Sequence, residues 1–311
     1  TNGAPGAVLV TATASRPLDW RIAPTLSGPR GFVERDGRAW ITAMIHTDTG
    51  TTPALCHVDA HSALDAGSCR PARGDTGGFP FEAVAGWRAV GDDDIELVAL
   101  NEAGDLYHWR GATPSDGAWA LHSRGRLDER LPCEALPVST LAMDGPGTGV
   151  VASPRSELAR FDLAGGRREV IFAGASCRTA YGRHPDGAQV LVRNESIVQG
   201  FGTFPPSDVY MRRGDTAPWT RVETDVELDA RRVVVLDHLL LVTAASNTMD
   251  AVVFEPGRPD VTPRVCRAVP VANSGAWSSL GVDGRVLVAG RVPEVGDLLP
   301  RALGRWRLAF D

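Results

Sequence analysis

Lysine is missing from this chain: all 32 of its basic side chains are arginine. A GC-rich bacterial genome accounts for that, because its codons favour Ala, Gly, Arg, Pro, Val and Asp. Selection against amine modification or cleavage at lysine is the sharper reading, and no other feature supports it. An excess of positive charge is missing too. The net charge is -6, which disfavours a nucleic-acid binder, whose affinity comes largely from neutralising phosphates with Lys and Arg. No run of about 18 apolar residues exists, so nothing here reads as a membrane-spanning helix. The longest apolar run, Val233-Val234-Val235-Leu236, resumes at Leu239 after Asp237-His238 and reads as two β-strands. Helical periodicity is almost absent. There is no Gly-x-Ser-x-Gly elbow, phosphate loop, His-Glu-x-x-His or dinucleotide fingerprint. Catalytic acids assembled from distant strand ends leave no local motif, so that lack counts only mildly against an enzyme. Residue 1 is Thr rather than Met, so the chain is expected to be processed, trimmed or part of something longer, with any signal peptide already removed.

What is present is a long, globular, turn-rich sequence. The 311 residues are 43% hydrophobic and 23% charged, enough for one large all-β domain with a packed core. Short strand-like runs dominate. The clearest are 40–45, 95–100, 189–192, 232–236, 239–243 and 285–289. Tight-turn signals separate pairs of them at Asp36-Gly37, Gly91–Asp94, Asp144–Gly149, Pro185-Asp186-Gly187, Asp237-His238 and Asp283-Gly284. Asp-Gly marks hairpins because both residues tolerate positive φ. After each such turn come a strand, a loop and a second hairpin, as in DLYHWRGATPSDGAWALHSRG (Asp105–Gly125) and VYMRRGDTAPWTRVET (Val209–Thr224).

Four antiparallel strands recurring with a period of about 40 to 55 residues read as a β-propeller. A four-stranded sheet cannot bury both faces alone, whereas several arranged radially bury one another. The spacing predicts one propeller domain over 1–311, with six blades near 30–73, 80–125, 133–174, 176–223, 227–270 and 274–311. An N-terminal strand over 7–14 is expected to close the last blade and remove a free sheet edge. Seven blades are the alternative if Leu18–Pro24 joins that strand in a partial blade.

Parts of the sequence resemble known propellers. YGRHPDGAQVLV (Tyr181–Val192) resembles the Pro-Asp-Gly hairpin of TolB-like and WD40-like repeats, and SELARFDLAGGRREVIFAG (Ser156–Gly174) resembles their outer hairpin. ELVALNEAGDLYHWRG (Glu96–Gly111) is similar to one repeat of tachylectin-type propeller lectins. These matches cover two or three of the six units. The resemblance implies a six-bladed fold, which hosts binding, scaffolding and hydrolysis alike. The Gly-His/Trp-Asp pair of true WD40 arrays and the Ser-x-Asp-x-Gly-x-Thr-Trp box of sialidases are missing.

Candidate chemistry is sparse. In CHVDAHSALDAGSC (Cys56–Cys69), alternation puts His57, Asp59 and His61 on one strand face, successive members about 7 Å apart. With His46 or Asp48 they suggest a zinc site. The bland reading is a strand whose polar groups bond to backbone. Cys56 and Cys69 are expected to pair as a staple worth about 2–3 kcal/mol. Cys133 and Cys177 both precede the first strand of a blade and are placed to approach each other. With five cysteines, one is left over. The pairings point to a periplasmic or extracellular protein, with a cytoplasmic one as the alternative.

The loop NESIVQGFGTFPPSD (Asn194–Asp208) is the longest between second and third strands, and long loops often bind. Asn194, Glu195, Phe201 and Phe204, with Arg178 and Arg193, are the binding candidates. Gly91-Asp92-Asp93-Asp94 suggests calcium or, more simply, a solvated turn. Arg73-Gly74-Asp75 and Arg213-Gly214-Asp215 are chance tripeptides in a chain rich in Arg and Gly. His108, Trp109, Trp119 and His122 read as packed cross-strand pairs, with a sugar-stacking platform as the alternative. The expectation is a non-catalytic module that binds a protein partner and needs no cofactor. The alternatives are a lactonase-like hydrolase using Zn²⁺, Ca²⁺ or paired carboxylates, and a glycan binder.

Overall fold

The computed structural model describes residues 26–33, 38–59, 66–89, 91–131, 133, 139–183, 187–194 and 208–222. By backbone alone it also describes strands at 11–13, 232–236, 239–243, 248–253, 264–270, 277–283, 286–291 and 303–309. Leu18–Pro24 and the loop between Asn194 and Asp208 lie outside the described residues.

Among the described residues the strands form six four-stranded antiparallel sheets. Strand β1 (Thr11–Thr13) belongs to the last of them. The first contains β2 (Leu26–Val33), β3 (Arg38–Thr47), β4 (Gly50–Asp59) and β5 (Cys69–Pro71). The second contains β6 (Ala83–Trp87), β7 (Ile95–Leu100), β8 (Leu106–Gly111) and β9 (Ala120–Ser123). The third contains β10 (Thr140–Gly145), β11 (Thr148–Ala152), β12 (Ser156–Asp162) and β13 (Arg167–Ser176). The fourth contains β14 (Arg178–Arg183), β15 (Ala188–Asn194), β16 (Asp208–Arg213) and β17 (Thr220–Val222).

The fifth contains β18 (Arg232–Leu236), β19 (Leu239–Thr243), β20 (Thr248–Val253) and β21 (Arg264–Pro270). The sixth contains β22 (Trp277–Asp283), β23 (Val286–Arg291) and β24 (Leu303–Ala309), and β1 pairs with β24 as its outer strand. The first strands touch in the order β2, β6, β10, β14, β18, β22, and β22 touches β2. The sheets therefore close into a ring, the radial arrangement of a β-propeller.

Strand alternation explains the packing. Along β7, Leu97 and Ala99 enter the core against the first sheet, while Val98 and Leu100 enter the core against the third. In β11, Val151 joins that second seam and Val150 and Ala152 the next. Consecutive residues thus serve opposite seams, and a strand buried on both faces reads as an unbroken apolar run. The seam between the first and second sheets holds Trp40, Trp109 and Trp119, with Trp40 and Trp109 ring centroids 5.3 Å apart.

Two disulfides staple this frame. Cys56 and Cys69 face each other in the β4–β5 register, with Cα atoms 3.9 Å apart. Cys133, ahead of β10, joins Cys177, ahead of β14, with Cα atoms 5.4 Å apart. That bridge ties the connections entering the third and fourth sheets.

Candidate binding groove

A cavity of about 390 Å³ opens between the second and third sheets, at residues that form no local sequence motif. Its second-sheet wall is the segment leaving β9. Asp105 holds that segment in place. Its Oδ1 accepts from the Gly125 amide at 2.8 Å and its Oδ2 from the Arg124 guanidinium at 2.9 Å. Asn101 Oδ1 in turn accepts from the Asp105 amide at 2.8 Å. The turn needs Gly104, whose φ is +78° and where an added Cβ would stand 2.7 Å from Ser153 Oγ.

The opposite wall comes from β12 and β13. Arg168 crosses the seam and donates through Nε to Ser123 Oγ at 2.8 Å and through a terminal nitrogen to the Gly104 carbonyl at 2.9 Å. Burial lowers its guanidinium to about 10. Val151 and Ala159 are buried in the lining, and Val170 is 50% exposed. Three arginines, Arg124, Arg126 and Arg168, line the space against one acid, Glu157. Such a cleft suits a ligand that carries both carboxylates and apolar groups.

The predicted metal strand does not assemble this way. His57 stacks flat on Trp40, with centroids 4.1 Å apart, facing the second sheet rather than solvent. His46 bonds Thr51 Oγ1 at 3.2 Å. The register pairs His57 with Trp40, six residues along β3 from His46, or about 20 Å away. His46 therefore shares no site with His57. Asp59 lies in β4 opposite Arg38, while its side chain and His61 fall outside the described residues. Among the described residues, no three His, Cys, Asp or Glu side chains gather to hold a metal. In the acidic turn, Arg110 pairs with both Asp92 and Asp94, at 3.1 and 3.3 Å.

The loop candidates divide likewise. Arg178 and Arg193 are buried at 4% and 3% exposure. Arg193 donates to the carbonyls of Ala173 and Gly174 and lies 4.6 Å over the Phe172 ring, so it joins the third and fourth sheets. Asn194 ends β15, its side chain outside the described residues, as are Glu195, Phe201 and Phe204. Trp109 and Trp119 are 1% and 2% exposed. That corrects the sugar-stacking alternative, because their rings face other side chains. His108 bonds Glu96 at 3.1 Å.

A charged seam between the third and fourth sheets also lacked a sequence signal beyond the second Arg-Gly-Asp. Asp215 accepts from Arg160 and from Gln189 Nε2 at 2.7 Å, and the Arg160 bond holds its carboxyl at about 2. Arg183 bonds Asp144 at 3.0 Å, and Arg212 donates to Gln189 Oε1 at 2.8 Å. Burial raises the Tyr181 phenol among them. With its carboxylates bonded to arginines, this seam acts as a clasp between sheets.

No family model and no curated protein matches the sequence. Solved structures do match along the whole chain. A protein of unknown function from Dyadobacter fermentans superposes with a TM-score of 0.53 at 12% identity, over 97% of this chain and 99% of its own. The GH93 α-L-arabinofuranosidase of Fusarium graminearum, seen with arabinobiose, gives 0.52 at 11% identity over 97% and 98%. YCF48 from Cyanidioschyzon merolae gives 0.47 at 11% over 93% and 87%. The arabinofuranosidase is a β-propeller. At these identities the likeness is one of fold, and together with the ring of sheets it makes this chain an all-β propeller.

Proposed function

We propose that this propeller is a non-catalytic module that binds another protein, as part of a bacterial envelope or a larger assembly. The observation that carries the reading is the groove between the second and third sheets. It joins an exposed apolar side chain, Val170, to exposed arginines at the mouth of a 390 Å³ cleft. Apolar contact flanked by charge is how protein interfaces combine affinity with orientation. Two disulfides support a periplasmic or extracellular location, since such bridges persist in oxidising compartments.

The test places a photo-cross-linking residue at Val170 in the protein's own cell. A discrete adduct with one partner is expected, and none from Thr49 in the exposed β3–β4 turn. Equal labelling from both positions, or none from Val170, would sink the reading. The hydrolase alternative has its own assays. Turnover of arabinobiose, or stoichiometric Zn²⁺ or Ca²⁺ in the purified protein, would displace the binding role.

A further inference from the structure

We infer that the groove's partner is an extended, acidic segment that adds as a strand to the free edge of β13. This rests on the protein-binding reading above and names the kind of chain bound. β13 is the outer strand of the third sheet and runs ten residues, against three, four, three, seven and three for the outer strands β5, β9, β17, β21 and β1.

Its second half is occupied. The Ile171 carbonyl accepts from Trp219 Nε1 at 2.8 Å, and the Ala173 and Gly174 carbonyls accept from Arg193. Its first half, Arg167–Val170, is different. It pairs with β12 on one side, and among the described residues no group bonds its backbone on the other. Unpaired backbone along an exposed edge is a template for another strand.

Side chains around that edge set the chemistry of the occupant. Val170 is the one exposed large apolar side chain among the described residues, and it stands beside Val151 and Ala159 in the groove lining. Arg126 is exposed at the mouth and Arg167 is exposed at the start of the strand. The acids nearby are Glu157, which accepts from the Gly174 amide at 3.3 Å, Asp105, bonded to Arg124, Glu169 on β13 itself, and Asp162, opposite Arg167 in the β12–β13 register. In a chain of net charge -6, Arg124, Arg126 and Arg168 beside the groove, with Arg167 on the opposite face of β13, favour an acidic partner. A strand shows successive side chains to opposite faces. The segment should therefore alternate apolar residues, aimed at Val170 and the groove, with Asp or Glu aimed at Arg167 on the opposite face of β13.

The test pans a displayed library of random twelve-residue peptides against the full chain. Enriched peptides should carry Asp or Glu at alternate positions. Their binding should protect the amides of Arg167–Val170 from hydrogen exchange. It should weaken at least tenfold in the Arg126→Glu/Arg167→Glu variant, and it should fall with salt. Among the described residues neither arginine makes an ion pair, so the variant should stay folded, its melting temperature lowered only by the like charge set opposite Asp162. Neutral or basic consensus peptides would overturn the inference, as would binders that leave β13 unprotected. A discrete adduct at Val170 would then preserve the protein-binding reading without it.

Discussion

Removing the Cys133–Cys177 bridge should destabilise the protein more than its half-buried position suggests. A disulfide acts largely by restricting the unfolded chain, so its effect grows with the loop it closes. The two bridges span sequence separations of 44 and 13. The chain-entropy relation converts these to about 4 and about 3 kcal/mol. Unfolding entropy of about 2.1 cal/mol/K per residue amounts to about 0.65 kcal/mol/K for 311 residues. Cys133→Ala/Cys177→Ala should therefore lower Tm by about 6 °C, and Cys56→Ala/Cys69→Ala by about 5 °C from chain entropy alone.

Serine separates the two sites further. Cys133 and Cys177 are half-buried, so serine should match alanine there. Cys56 and Cys69 are 0% and 4% exposed within a core of Ile41, Ala54 and Val58. Serine there buries two hydroxyls, at about 1–3 kcal/mol for each left unbonded. Scanning calorimetry reads the shifts, and thiol titration under denaturing conditions checks the starting state. One thiol without reductant and five with it are expected, since four of the five cysteines are bridged. A fall of less than about 2 °C for the Cys133/Cys177 pair, in protein that passes the thiol count, would refute the loop-closure reasoning.

Arg168→Met should cost about 2–3 kcal/mol in urea unfolding, because it strips the Gly104 carbonyl and Ser123 hydroxyl of a charge-assisted partner. Arg168→Lys should recover little of this, since an ammonium cannot span both acceptors as a fork does. Gly149→Ala places a Cβ 2.2 Å from the Ala142 carbonyl and 2.5 Å from the Phe161 ring. It should lower the urea midpoint by at least the equivalent of about 1–3 kcal/mol with m unchanged. Burial lowers the pKa of both His108 and His122. The unfolded chain then binds more protons than the folded one as pH falls from about 6.5 through the depressed values, so stability should fall in that window. His122→Gln should flatten the decline of Tm between pH 7 and 5, and an unchanged slope would contradict this.

The hairpin rhythm was legible because turn chemistry is local. Asp36-Gly37 lies between strands β2 and β3 and Asp237-His238 between β18 and β19, and Asp283 ends β22 just before the link to β23. The run 95–100 is β7 in full, and its apolar stretch 97–100 follows from two buried faces. Cys56 and Cys69 were readable for the same reason, being 13 residues apart on one hairpin. The groove was not readable. Its walls come from 123–126, 151–159 and 166–170, which meet only when two sheets pack in one register. Arginine gave no signal either, since it supplies every basic side chain in the sequence. Which arginines cross a seam, as Arg168 and Arg193 do, is set by tertiary geometry. His46 and His57 share one hairpin but not one end of it, because the β3–β4 register carries His57 along the ribbon to a position opposite Trp40.

The pairing of Thr11 with Ala309 has a kinetic meaning. The other strand partners are neighbours along the chain, so five sheets can zip as soon as their own residues are present. The sixth must bring together Thr11 and Ala309, 298 positions apart in the sequence. Closing so large a loop adds little to the equilibrium cost, which grows only logarithmically with length, but contacts this distant slow the search for the native state. During that interval β24 stands as an open edge, able to accept the first strand of another copy instead of its own. Assembly of the ring is thus a race between self-closure and exchange, decided by protein concentration.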